Sequence, residues 1–138
     1  MFHRPTTALT HKGVMAALKA AIARAEEIGV PQDIVVVDAS GETLAKFRMD
    51  GAKFTSMHTA TSKAITAASI NAPTGNMPAE FGTAAGLASH GRVTHLKGGL
   101  PIRFGGHLAG AIGVGSGTGD QDVEVGRAAL AAIGADEF

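Results

Sequence analysis

The chain has no cysteine, no tryptophan and no tyrosine, and its formal charges cancel. Without cysteine there is no disulfide, no thiolate nucleophile and no cysteine-type zinc site. Twelve basic residues balance twelve acidic ones, so no cationic stripe is left to neutralise a phosphate backbone. The six phenylalanines are scattered and offer no platform for stacked bases. Nucleic acid is therefore not an expected partner. No apolar run approaches the ~18 residues a membrane span needs. The opening Met1-Phe2-His3-Arg4-Pro5 has no charged-then-apolar leader pattern. A cytoplasmic protein without a membrane partner is expected.

What remains is globular in character. Hydrophobic residues make up 45% and charged residues 17%, which argues against disorder. With 138 residues the chain fits one domain, residues 1–138, and can bury roughly two-thirds of its unfolded surface. It needs no staple to fold. Glycine is abundant, 19 residues, and much of it clusters at Gly98–Gly99 and from Gly105 to Gly119.

Thr10 is a natural N-cap, with Leu9 and Val14 placed to form a hydrophobic staple around it. Val14, Leu18, Ala21, Ile22, Ala25 and Ile28 then fall on one helical face, and Gly29 followed by Pro31 ends the helix. Ile34 to Val37, the turn Asp38-Ala39-Ser40-Gly41 and the segment Thr43 to Met49 read as an antiparallel hairpin. An Ala/Thr/Ser-rich helix is expected from Ser56 to Ile70, ended by Pro73. Its small residues suit close packing on a sheet or a partner. A short helix is expected over 78–85, and residues 86–97 read as irregular. Leu100 to Phe104 and His107 to Val114 form a second hairpin closed by Gly105-Gly106, since glycine supplies the positive φ of such turns. Asp120 is a candidate cap for a last helix carrying Val123, Leu130 and Ile133. Strands grouped in hairpins favour an antiparallel sheet covered by helices.

Several segments resemble the GlcG/HbpS family, whose members include the C-terminal domain of PduO. They are the LT before the first helix, IGVPQDIVVVDASGE, RMDGA followed by SKAITAA, GGLPI, and GGHLAGAIGVGSGTGDQD. They occur in family order and cover nearly the whole chain. The resemblance implies a profilin-like α/β fold, a five-stranded antiparallel sheet flanked by helices. It also implies a homo-oligomer, a dimer or larger, and haem or another tetrapyrrole as a possible ligand. Where the family commonly reads GVSG, this chain has Gly113-Val114-Gly115-Ser116. The hydroxyl moves by one position, which on a strand turns it to the other face.

The residues with chemistry are few. No pair of the six histidines has metal-binding helical spacing, so a metal site of protein ligands alone is not expected. His58 opens the second helix and His90 lies in the irregular segment, where sites often sit; both are candidate general acid/base and ligand-binding groups. A haem iron, if bound, would take His11 or His58. Arg48 is a candidate carboxylate anchor because its planar fork suits that group, and Asp50 follows it in the turn. Lys63 is read either as a solvated charge or as a carboxylate partner. Lys97-Gly98-Gly99 is a candidate backbone nest for an anion. The expected function is small-molecule binding, of haem or a carboxylate-bearing ligand. The alternatives are an enzyme using histidine chemistry on a small organic acid, and an accessory subunit that oligomerises through its Ala-rich second helix.

Overall fold

The computed structural model describes residues 1–138. Helix α1 (His11–Ile28) starts where Thr10 Oγ1 accepts the Gly13 N–H at 3.1 Å and ends at Gly29, φ 69°. Its buried stripe is Val14, Ala17, Leu18, Ala21 and Ala25. Strand β1 (Asp33–Asp38) is buried over its first five residues, as a continuous apolar run requires when both faces are covered. β2 (Thr43–Arg48) pairs with it and is mostly exposed. Helices α2 (Ser56–Ile70) and α3 (Ala79–Ala88) precede the hairpin of β3 (Gly99–Phe104) and β4 (His107–Gly115), and α4 (Gly119–Ala132) follows.

The sheet is antiparallel in the order β2-β1-β4-β3. Alternation along β1 divides the interior. Ile34 and Val36 join Leu100, Ile102, Ile112 and Val114 under α1 and α4. Val35 and Val37 join Ala111 under Ala60, Ala64, Ala67 and Ala68 of α2. The result is three layers, α/β/α. The alanines of α2 are spent on this inner contact, at most 3% exposed, so that face is not the oligomerisation surface it suggested in sequence.

The sheet has four strands, not five. Along the outer edge of β3, Gly99 is already bonded to Thr74, and the Arg103 carbonyl accepts the Asp136 N–H at 2.8 Å. Between them Pro101 has no N–H to offer, which suits an edge. Thr74 and Asp136 occupy the place of a fifth strand. The cap of α4 also differs from expectation. Thr118 accepts the Gln121 N–H and Gln121 answers to the Thr118 N–H, a capping box, while Asp120 pairs with Lys97 on the surface. α3 extends three residues beyond its expected end, to Ala88. No helix is long and apolar enough to cross a membrane.

Candidate functional site

Helix α2 presents Ser62 and Thr66, one turn apart, to the segment that follows α3. Ser62 Oγ donates to the Gly91 carbonyl at 2.5 Å. Thr66 Oγ1 donates to the Arg92 carbonyl at 3.2 Å and accepts the Thr94 N–H at 3.0 Å. Ser89 Oγ accepts the Val93 N–H at 2.9 Å, and the Gly91 N–H reaches the Gly86 carbonyl at 2.7 Å. Residues 89–94 are thereby strapped onto α2, with His90 held in the left-handed region at φ 56°. Histidine enters that region more often than most residues, yet at a cost of about 1–3 kcal/mol that the surrounding bonds must offset. Gly91 follows at φ 78°; a Cβ there would lie 3.2 Å from His58 Nε2. Glycine at 91 leaves that nitrogen uncovered.

The strap, α2 and the β1–β2 turn enclose an open groove of about 570 Å³, lined among others by Ser40, Ile65, Ser69, His90, Arg92 and Val93. No acidic side chain lines it. A wider groove of about 840 Å³ shares Ala39 and Ser40 of the same turn and is bordered by residues 4–8, Asn71 and His107.

Of the residues singled out in sequence, His58 lies against Gly91, the residue after His90, and both histidines are exposed, but only His90 lines the groove. Arg48 is not with them. It pairs with Asp33 at the opposite end of the hairpin from Ser40, roughly 17 Å away along the strand, and Asp50 is exposed in the turn beyond. Lys63 is no solvated charge. It is 5% exposed, and its Nζ donates to Asp122 Oδ2 and to the Val114 carbonyl, each at 2.8 Å. Its carboxylate partner lies inside the fold. Gly98 and Gly99 form no anion nest, because the Gly99 N–H donates to Thr74 Oγ1 at 2.8 Å and the Gly98 carbonyl accepts from Val114. Gly99 is needed for close approach instead: a Cβ there would lie 2.8 Å from the Lys63 carbonyl carbon. His11 is exposed at the start of α1, before the buried stripe begins, and His107 is exposed beside the Gly105-Gly106 turn. Ser116 lies beyond the end of β4, where its Oγ accepts the Lys53 N–H at 3.0 Å.

Sequence reasoning missed Arg92 and the two hydroxyls, Ser62 and Thr66, that hold the strap at Gly91 and Arg92. The available signal was the pair Ser62 and Thr66 at i, i+4 on a helix, facing a chain that returns as His-Gly-Arg. It also missed a polar cluster behind the strap. Asp122 Oδ1 accepts the Gly117 N–H at 3.1 Å, and Gln32, its amide oriented by the hydrogen-bond network, donates to the same oxygen at 2.9 Å. Burial lifts the Asp122 carboxyl above the usual carboxylate range, against the opposing pull of Lys63, Gly117 and Gln32. Nearby, Asp33 is fully buried with neither carboxylate oxygen partnered. Burial raises its pKa too, and the charge of Arg48 opposes the rise.

Residues 9–131 match the family model described as haem degrading protein HbpS-like. Among curated proteins, the chain is 34% identical over 134 residues to the corrinoid adenosyltransferase PduO of Citrobacter freundii, a match covering 94% of this chain but 40% of PduO. It thus spans well under half of that relative's length. Among solved structures, a PduOC–haem complex superimposes with a TM-score of 0.83 at 29% identity, covering 96% of this chain and 99% of that one. A double mutant of HbpS from Streptomyces reticuli gives 0.82 at 35% identity, covering 94% and 89%. With almost the whole folded chain inside the match, this protein belongs to the HbpS-like family.

Proposed function

We propose that this chain binds haem or a related tetrapyrrole on the face built by the start of α2 and the strap 89–94. The observation that carries the reading is the exposed His58 Nε2 beside Gly91, where the strap bearing His90 meets the start of α2, in a chain whose fold matches that of PduOC solved with haem. An exposed imidazole nitrogen without an internal partner would be free to ligate a haem iron. His58 is the first candidate and His11, exposed at the start of α1, the second. A bound haem would supply a redox-active iron. The chain's own contribution would be to hold the macrocycle and to offer the ligand, with His90 on the adjoining strap.

Haemin titrated into the purified protein is expected to give a saturable Soret shift that His58→Ala abolishes and His90→Ala weakens. If His58→Ala is silent and His11→Ala abolishes the shift, the ligand moves to α1 and the α2 face is wrong. No shift at micromolar protein removes the haem reading altogether.

A second reading concerns assembly. We infer that the chain self-associates through α3. No other helix or strand packs extensively along α3, yet it exposes Phe81 at 59% and Leu87 at 79%. On this reading α3, rather than α2, carries the homo-oligomer contact.

A further inference from the structure

Arg92 is fixed at its backbone and free at its tip. Its carbonyl accepts from Thr66 Oγ1 and its N–H donates to the Ser89 carbonyl at 3.3 Å. Its guanidinium joins none of the chain's four ion pairs. Arg24, by contrast, is tied to Glu27 and Glu124, and Arg103 to Asn71. Around Arg92 the groove presents His90 and the hydroxyls of Ser40 and Ser69, neither of which makes a side-chain hydrogen bond within the chain, with Ile65 and Val93 as apolar walls. A cation, an imidazole and two spare hydroxyls share one open space free of acidic residues.

We propose that this groove binds a carboxylate, with Arg92 as the anchor, Ser40, Ser69 and His90 as further donors, and Ile65 and Val93 against the ligand's carbon body. The guanidinium fork matches the two oxygens of a carboxylate. A phosphate dianion is disfavoured. The groove borders the last turns of α2 (Ile65 and Ser69), where the helix carries partial negative charge, and one fixed cation would have to offset two charges. The carboxylate comes from one of two sources, a haem propionate or a free small organic acid. In the first case the assignment rests on the haem reading above; in the second it stands without it.

The test compares wild type with Arg92→Gln, Arg92→Lys and Ser69→Ala against haemin, haemin dimethyl ester, succinate and inorganic phosphate. Since Arg92 engages the fold through its backbone, Arg92→Gln should melt as wild type does. Where the source is a propionate, wild type prefers haemin to its diester, and Arg92→Gln erases that preference by weakening haemin alone about 10- to 100-fold. Where the source is a free acid, Arg92→Gln weakens succinate by the same factor and leaves both haemins unchanged. Arg92→Lys restores part of the loss, and Ser69→Ala gives a smaller one. If wild type binds neither haemin nor its diester, the haem reading fails by itself and the succinate comparison still decides the groove. The proposal is overturned if Arg92→Gln alters neither haemin nor succinate binding, if wild type binds no carboxylate, or if phosphate binds as tightly as succinate.

Discussion

Asp33 occupies the first position of β1 with no solvent exposure, and neither carboxylate oxygen has a hydrogen-bond partner. By strand alternation it shares the face of Val35 and Val37, toward α2. Burying a charge there without a donor is costly, so burial raises its pKa from the ordinary 3.8 and the protonated form is favoured in the fold, with Arg48 opposing. The sign of the pH effect follows. Between 3.8 and the raised value the native carboxyl keeps a proton that the unfolded chain has already released. Unfolding therefore sheds a proton, and stability falls as pH rises through that window. Above it the loss is complete and constant. Asp122, also raised, contributes in the same direction, so the useful quantity is a difference between proteins. Asp33→Asn should match wild type near pH 4 and exceed it by about 1–3 kcal/mol at pH 7, read from urea unfolding across that range. Parallel pH profiles for the two proteins would show that Asp33 carries no such burden. Its role was hidden in sequence because an aspartate just before Ile34-Val35-Val36-Val37 looks like the end of a turn. Only the covering of β1 by α2 makes it interior.

At the scale of elements, the Lys63–Asp122 pair joins α2 to α4 across β4, since Lys63 Nζ also meets the Val114 carbonyl. Removing one partner strands the other in the interior. Lys63→Met is expected to lose about 3–5 kcal/mol, while the double variant Lys63→Met with Asp122→Leu recovers most of it. A denaturation cycle over the four proteins measures this; if the double variant is no more stable than Lys63→Met alone, the pair is not a coupled unit. The chain shows why such pairing escapes sequence reading. A lysine in an Ala-rich helix looks solvated or paired, but nothing local points to an aspartate 59 residues on. Local chemistry was legible by contrast. Thr10 caps α1, Gly29 ends it, and Gly105-Gly106 turns β3 into β4 at φ 58° and 83°, because each depends on its immediate neighbours. The missing fifth strand is of the other kind. The outer edge of β3 is closed by Thr74 and Asp136, which reach it from distant parts of the chain. The site divides the same way: His58 and His90 were recognisable as residue types, whereas Arg92 acquires its place from Thr66 on another element.

Across the whole molecule, the three layers leave α3 outside. α1 and α4 pack on each other and on one sheet face, α2 covers the other, and α3 meets the segment that follows it, Gly82 against His95 and Gly86 against Val93. An isolated helix shorter than about 12–15 residues is marginal in water, and α3 has ten. The return segment covers its Gly82–Gly86 side, while Phe81 and Leu87 remain exposed, a face that no other helix or strand of this chain covers. A second copy would cover it, on both α3 helices at once, since a two-fold contact places the same patch on each side. β2 is a poorer candidate despite exposing Leu44 and Phe47, because Lys46 and Arg48 put like charges along that edge, a common guard against strand pairing. Sedimentation velocity at two concentrations should therefore show an oligomer for wild type, while Phe81→Ser with Leu87→Ser should shift the protein toward monomer by at least about a hundredfold in dissociation constant. The double variant should still fold, because neither side chain belongs to either core cluster. A wild type that stays monomeric at both concentrations, or a double variant that associates as before, would leave α3 without the partner assigned to it.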